Sequence, residues 1–169
     1  SAALCIVAAA LWHGCSPGGI VPTSGNFVVV KSDPPSGSTL FLNDPIAFDF
    51  SKAIDLQSVS TSTVTFEALD SQGNPLPEVV VGSFVLGTRP GDAQPGRRLR
   101  FEPRLATDNA YQNGGFRAER AYVVRLPGSA LGAGATLLTE GGTPLAQAAT
   151  FVFLTPVGTQ PSQLYRNPL

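Results

Sequence analysis

From Phe27 onward, apolar residues recur at every second position in short runs separated by turn formers. The clearest run is Ile46-Ala47-Phe48-Asp49-Phe50, where Ile46, Phe48 and Phe50 alternate with Ala47 and Asp49. That is the period of a strand with one face in a core. Similar runs occupy residues 27–30, 63–69, 79–86, 97–103, 120–128 and 149–155. In 97–103 the pattern turns Leu99 and Phe101 inward and Arg98, Arg100 and Glu102 to solvent. Gly82 interrupts 79–86 and marks a bulge or bend there. Helical periodicity is almost absent; residues 51–59 suffice for one helical turn, and 128–133 read as a loop. Seven alternating strands with Pro and Gly in the connections predict an all-β chain, folded as a seven-stranded antiparallel sandwich of two sheets.

Composition narrows the picture. The chain has 169 residues, of which 14% are charged; 11 basic and 12 acidic residues leave a net charge of −1. No block of like charge occurs, which argues against nucleic acid or an anionic membrane face as the main partner. The Val, Leu and Phe content is enough for a core, so the body needs neither metal nor disulfide to fold.

Both cysteines, the only Trp and the only His lie within residues 5–15. Residues 2–12, AALCIVAAALW, carry no charge. As a helix they would rise only about 16 Å, short of a bilayer core of about 30 Å, and they suit the apolar part of a secretory signal. The following LWHGC resembles a bacterial lipoprotein lipobox, with Gly14 before Cys15 and with Trp12 and His13 bulkier than the pattern. That resemblance implies acylation of Cys15 and a tether over residues 16–26. An ordinary secretory signal, a packed apolar element and a Cys5–Cys15 disulfide stay open as alternatives. Metal binding by Cys5, His13 and Cys15 falls short in ligand number.

The order of segments SDPPSGST, PIAFDFSKAIDLQSV, VTFEALDSQGNPLP, RLRFEP, RAYVVRLPG and GGTPLAQAATFVFLT resembles the bacterial Ig-like domains of S-layer and other cell-surface proteins. The resemblance spans residues 27–155 and departs from the family at longer loops over 87–96, 106–116 and 132–138. It implies an Ig-like sandwich preceded by a signal-like segment (1–15) and a tether (16–26), and followed by a tail or linker (156–169). The implied function is a non-catalytic spacer or structural module of an exported, lipid-anchored protein of the cell envelope, at the outer membrane or cell surface. Its partners would be the membrane, through Cys15, and other envelope proteins or polysaccharide. The alternatives are an accessory domain of a larger secreted enzyme, or an adhesin. The adhesin would use loops 87–96 and 106–116 together, with Tyr111 and Phe116 as exposed aromatics for a ligand.

Catalytic chemistry has few candidates. Downstream of Ser16 there is no Cys and no His, hence no thiol or imidazole. The carboxylate pairs Asp49/Asp55 and Glu67/Asp70 have the residue type for glycosidic chemistry. However, Asp49 reads as the outer face of a strand and Asp70 as the opening of a turn. Asp33, Asp44, Asp92 and Asp108 lie in expected loops but lack the dense spacing of a calcium loop. Arg97, Arg98, Arg100 and Arg104 read as a solvated face paired with Glu102 rather than a polysaccharide site. Tyr122 reads as a sandwich-corner residue with its hydroxyl on backbone. No enzyme activity, cofactor or metal is expected.

Overall fold

A computed structural model describes residues 25–131 and 134–167. The apolar segment, Cys15 and the first part of the tether lie outside the described residues. The body is a β-sandwich of two four-stranded antiparallel sheets. Its strands are β1 (Val29–Asp33), β2 (Ile46–Phe50), β3 (Thr65–Leu69), β4 (Pro75–Leu76), β5 (Gly82–Gly87), β6 (Arg98–Pro103), β7 (Ala121–Leu126) and β8 (Ala149–Leu154). One sheet has the order β1-β2-β6-β5 and the other β4-β3-β7-β8. A single turn of 3-10 helix spans Leu56–Ser58 and another Ser129–Leu131, and a short helix α1 covers Pro161–Leu164.

Alternation decides which side chains meet between the sheets. Ile46, Phe48 and Phe50 of β2, Leu99 and Phe101 of β6, Tyr122, Val124 and Leu126 of β7, and Phe153 of β8 form the buried layer. The connection between β1 and β2 adds Leu40 and Leu42, and the residues before β1 add Phe27. Phe101 is the hub of an aromatic chain, with ring centroids 4.6 Å from Phe66, 5.1 Å from Phe84 and 5.8 Å from Phe116. Such pairs contribute roughly 0.5–1.5 kcal/mol each beyond area burial.

Among the described residues eight strands form where seven are expected. The additional one is β4, two residues that pair with Ala68 and Leu69 across the turn opened by Asp70. Residues 79–81 stay outside the sheet, and Gly82 begins β5 instead of bending it. A Cβ on Gly82 would lie 2.3 Å from the Glu102 carbonyl oxygen and 2.4 Å from the Phe101 ring, so only glycine lets the chain come in this close. In β1 the register with β2 shifts between Val29 and Lys31, which places a bulge at Val30.

The two ends of the sandwich are distinct. At the first pole Val29 pairs with Phe50, Gly87 with Arg98 and Leu126 with Ala149, and the Ala146 N–H donates to the Phe27 carbonyl at 2.9 Å. At the second pole Asp33 pairs with Ala47, Gly82 with Pro103 and Ala121 with Leu154. The segment after β8, expected as a tail or linker, packs on the body at this second pole. Leu164 is buried, its carbonyl accepts the Leu42 N–H at 2.9 Å, and the Tyr165 ring stands edge-on to Tyr111 at 5.6 Å. The chain therefore enters the body at one pole and leaves it at the other.

Candidate functional site

The outer face of the β1-β2-β6-β5 sheet carries a row of charge set by strand register. Lys31 and Arg98 are the cross-strand partners of Asp49, so the sequence + − + runs over β1, β2 and β6. Asp49 does point away from the core, as its place in the alternation requires, yet it is only 1% exposed. The outer face is closed over at this position: long side chains from both neighbouring strands fold over it. Lys31 Nζ lies 3.6 Å from Oδ2 and Arg98 Nε 3.6 Å from Oδ1, and neither carboxylate oxygen has a hydrogen-bond partner. Arg98 also reaches diagonally across the small Ala47 to hydrogen bond Asp33. It is thus largely covered, unlike Arg100, which pairs with Glu102 in solvent as expected.

Beside this row a shallow recess of about 470 Å³ is lined by Asp33, Asp44, Arg98, Arg100 and Arg166. Asp44 receives two hydrogen bonds from the Arg166 guanidinium, at 2.7 and 2.8 Å, and accepts the Phe41 N–H at 3.1 Å. Arg166 is held protonated above its ordinary range by that carboxylate, and its guanidinium carbon stands 4.9 Å from the Phe41 ring centroid. Arg98 is paired with Asp33, Arg166 with Asp44 and Arg100 with Glu102, so each base at the recess is met by an acid.

The two long loops do not form one site. Residues 87–96 follow β5 at the first pole, and 106–116 follow β6 at the second, because β5 and β6 are an antiparallel hairpin. A six-residue hairpin separates them by about 17 Å. Tyr111 and Phe116 also part company. Phe116 is 1% exposed, packed 4.9 Å from Tyr122, and is a core residue, not an exposed aromatic. Tyr111 is half-buried with a left-handed backbone (φ 56°) and lines a groove of about 470 Å³ with Gln112, Glu119 and Thr159. A run such as Asn-Gly-Gly-Phe-Arg reads as a loop, and only the pairing of its neighbours reveals that the Phe returns to the core.

Near that groove a second buried carboxylate organises the corner before β7. Glu78 Oε1 lies 3.0 Å from Arg120 Nε and 3.4 Å from Arg117 Nη1, while Oε2 is buried without a hydrogen-bond partner. The Arg117 N–H donates to the Tyr122 hydroxyl at 2.8 Å, so the corner role expected for Tyr122 holds. Burial pushes the Tyr122 phenol up to about 12, with the nearby Glu78 charge adding to the effect.

The remaining acids named from the sequence have local structural partners. Asp55 caps the 3-10 turn by accepting the Gln57 N–H at 2.9 Å. Glu67 pairs with Arg125 at 2.6 Å on the outer face of the other sheet. Asp70 accepts from the backbone of Gln72 and Asn74 and from the Asn74 side chain, which holds its carboxyl below the usual value. Asp92 pairs with Arg89 at 2.9 Å and lies 4.0 Å from Arg97. Asp108 accepts the Gln112 N–H at 2.8 Å, and Arg104 donates to the Asn113 carbonyl. Neither carboxylate pair named from the sequence is joined by a shared contact. Among the described residues no group of three or more His, Cys, Asp or Glu is gathered as for a metal, and no helix is long and apolar enough to cross a membrane.

No family model and no curated protein matches the chain. Among solved structures, the chain is similar to one described as the crystal structure of CopC from Methylosinus trichosporium OB3b. The two are 16% identical, over 80% of this chain and 100% of that chain, with a TM-score of 0.40.

Proposed function

We propose that this chain is a non-catalytic Ig-like module that serves as an in-line spacer in an exported envelope protein, anchored by lipid at Cys15. The observation that carries the reading is where the sandwich body begins and closes: Phe27 at the first pole and Leu164 at the second, each buried and hydrogen-bonded to the body. A module that receives the chain at one pole and releases it at the other adds its own length between whatever it joins. The Ig-like reading draws support from sheet orders that parallel A-B-E-D and C′-C-F-G, and from a tyrosine near the start of the F-like strand bonded to upstream backbone. Several of the charged residues facing outward pair with one another within the module, among them Arg100 with Glu102 and Arg125 with Glu67.

The two parts of the proposal are tested separately. Intact-mass analysis of the full chain expressed in a lipoprotein-processing bacterium should show an acyl-modified Cys15, absent in Cys15→Ser; an unmodified thiol would reject the anchor. Pulling the full chain by its ends in single-molecule force spectroscopy should give one cooperative unfolding step. Gradual extension at low force would reject the spacer.

A further inference from the structure

A sandwich of two open sheets has four edge strands, and each bare edge is a template for pairing with another chain. Three of the four are blunted here. On β1 the bulge at Val30 and the charges of Lys31 and Asp33 break the edge. The outer side of β8 is taken by the crossing segment 36–40, through Gly37 N–H to Val152 O at 2.7 Å and Leu40 N–H to Leu154 O at 2.8 Å. β4 is only two residues long and contains Pro75.

β5 has none of these devices. It runs for six residues, and no charge or proline occurs anywhere in 79–87. The register states which of its backbone groups face outward. Just before the strand, Arg104 N–H donates to Val81 O at 2.9 Å, which fixes the phase of the ladder. Alternation then bonds Ser83, Val85 and Gly87 to β6, and turns the N–H and C=O groups of Gly82, Phe84 and Leu86 away from the sheet. Among the described residues no strand pairs with that side.

We propose that β5 is the contact strand of a two-fold dimer, pairing antiparallel with β5 of a second copy and joining two four-stranded sheets into one. The segment is self-complementary. With Phe84 opposite Phe84 of the second copy, Gly82 faces Leu86, and all outward N–H and C=O groups of these residues find partners across the axis. Phe84 and Leu86 are partly buried against the core, and the second copy would cover what they still expose. No charge stands in 79–87, so the two copies bring no like charges against each other along the contact. Pairing stops at two copies because the far edge, β1, is guarded. An isologous contact of this kind closes on itself.

In this register Ser83 stands opposite Val85 of the second copy on the outer face. Ser83 is exposed and Val85 half-buried there, so substitutions at both leave the core untouched. Sedimentation equilibrium of the full chain should show a monomer–dimer equilibrium. Ser83→Lys with Val85→Lys should weaken it by about 100-fold or more, since like charges are forced into register. Ser83→Glu with Val85→Glu should do the same, and mixing the Lys and Glu chains should restore a dimer containing one of each. Thermal unfolding of each chain checks that the fold is retained; if a double variant unfolds, Val85→Lys and Val85→Glu alone make the same comparison. A parent chain that stays monomeric, a Lys variant that dimerises like the parent, or a mixture that fails to associate would each overturn the proposal. A monomeric parent that instead captures an extended peptide on β5 would also overturn it, assigning the edge to another partner.

Discussion

Asp49 Oδ1 lies 3.6 Å from Arg98 Nε on the side of β2 that faces away from the core, and both side chains are covered. A carboxylate taken out of water this fully depends on its cations. Removing one partner of a buried ion pair costs about 3–5 kcal/mol, because the other is left uncompensated, while replacing both by apolar groups is close to neutral. Arg98→Met should therefore destabilise by about 3 kcal/mol, toward the lower end because Lys31 remains 3.6 Å away. Combining it with Asp49→Leu should recover most of that loss. Urea unfolding of the two single variants and the double variant checks the cycle; a double variant as unstable as the sum would show that the pair is not coupled.

Tyr122 gives the corner before β7 a signature in pH. Its phenol titrates near 12 in the folded chain against 10.0 for a free tyrosine, mainly because it is buried. Below pH 10 both states keep the proton and nothing changes. Between 10 and 12 the unfolded chain ionises while the folded one does not, so stability falls by about 1.4 kcal/mol per pH unit from this group. Tyr122→Phe should flatten that decline. At neutral pH it should cost about 1–2 kcal/mol, because the Arg117 N–H loses its acceptor. Denaturant titrations at pH 7, 10 and 11 separate the two effects.

Two glycines, Gly73 in the turn between β3 and β4 and Gly82 at the start of β5, should respond differently to alanine. At Gly82 the new Cβ would lie 2.3 Å from backbone oxygen, so β5 must move off β6; a loss of roughly 2–4 kcal/mol is expected. Gly73 has φ +84° with nothing within 4 Å, so Gly73→Ala meets only backbone strain, about 1 kcal/mol. Thermal melts rank the two, and a similar loss at both would remove the close-approach argument for Gly82.

What the sequence makes legible is what alternation encodes locally. Ile46, Phe48, Phe50, Leu99 and Phe101 face the core as their spacing requires, and Tyr122 takes its corner. What it leaves out depends on which strands become neighbours. The burial of Asp49 follows from Lys31 and Arg98 being its register partners, and these are 18 and 49 residues away along the chain. The separation of loops 87–96 and 106–116 follows from the β5–β6 hairpin. Phe116 misled because its neighbours Gly114 and Gly115 signal a loop, and a loop residue can still return a ring to the core. β4 is two residues long, too short for any period to register.

The segment after β8 is held by two contacts of different kinds, and their strengths can be told apart. Leu164 is 1% exposed within the core cluster, whereas the Arg166 side chain is 57% exposed where it grips Asp44. Truncating a buried leucine removes transfer energy and leaves a cavity, about 2–5 kcal/mol. An ion pair with one partner in solvent is worth about 0–1 kcal/mol, toward the upper end for a bidentate arginine, and salt screens it. Leu164→Ala should therefore destabilise the fold several times more than Arg166→Ala, and the difference should persist at high salt. The opposite order would mean that the segment is clasped by charge, and Arg166 would then become the residue that fixes the second pole. Hydrogen exchange at the Leu42 N–H, which donates to the Leu164 carbonyl, reads the release of the segment directly: it should speed up sharply in Leu164→Ala and little in Arg166→Ala.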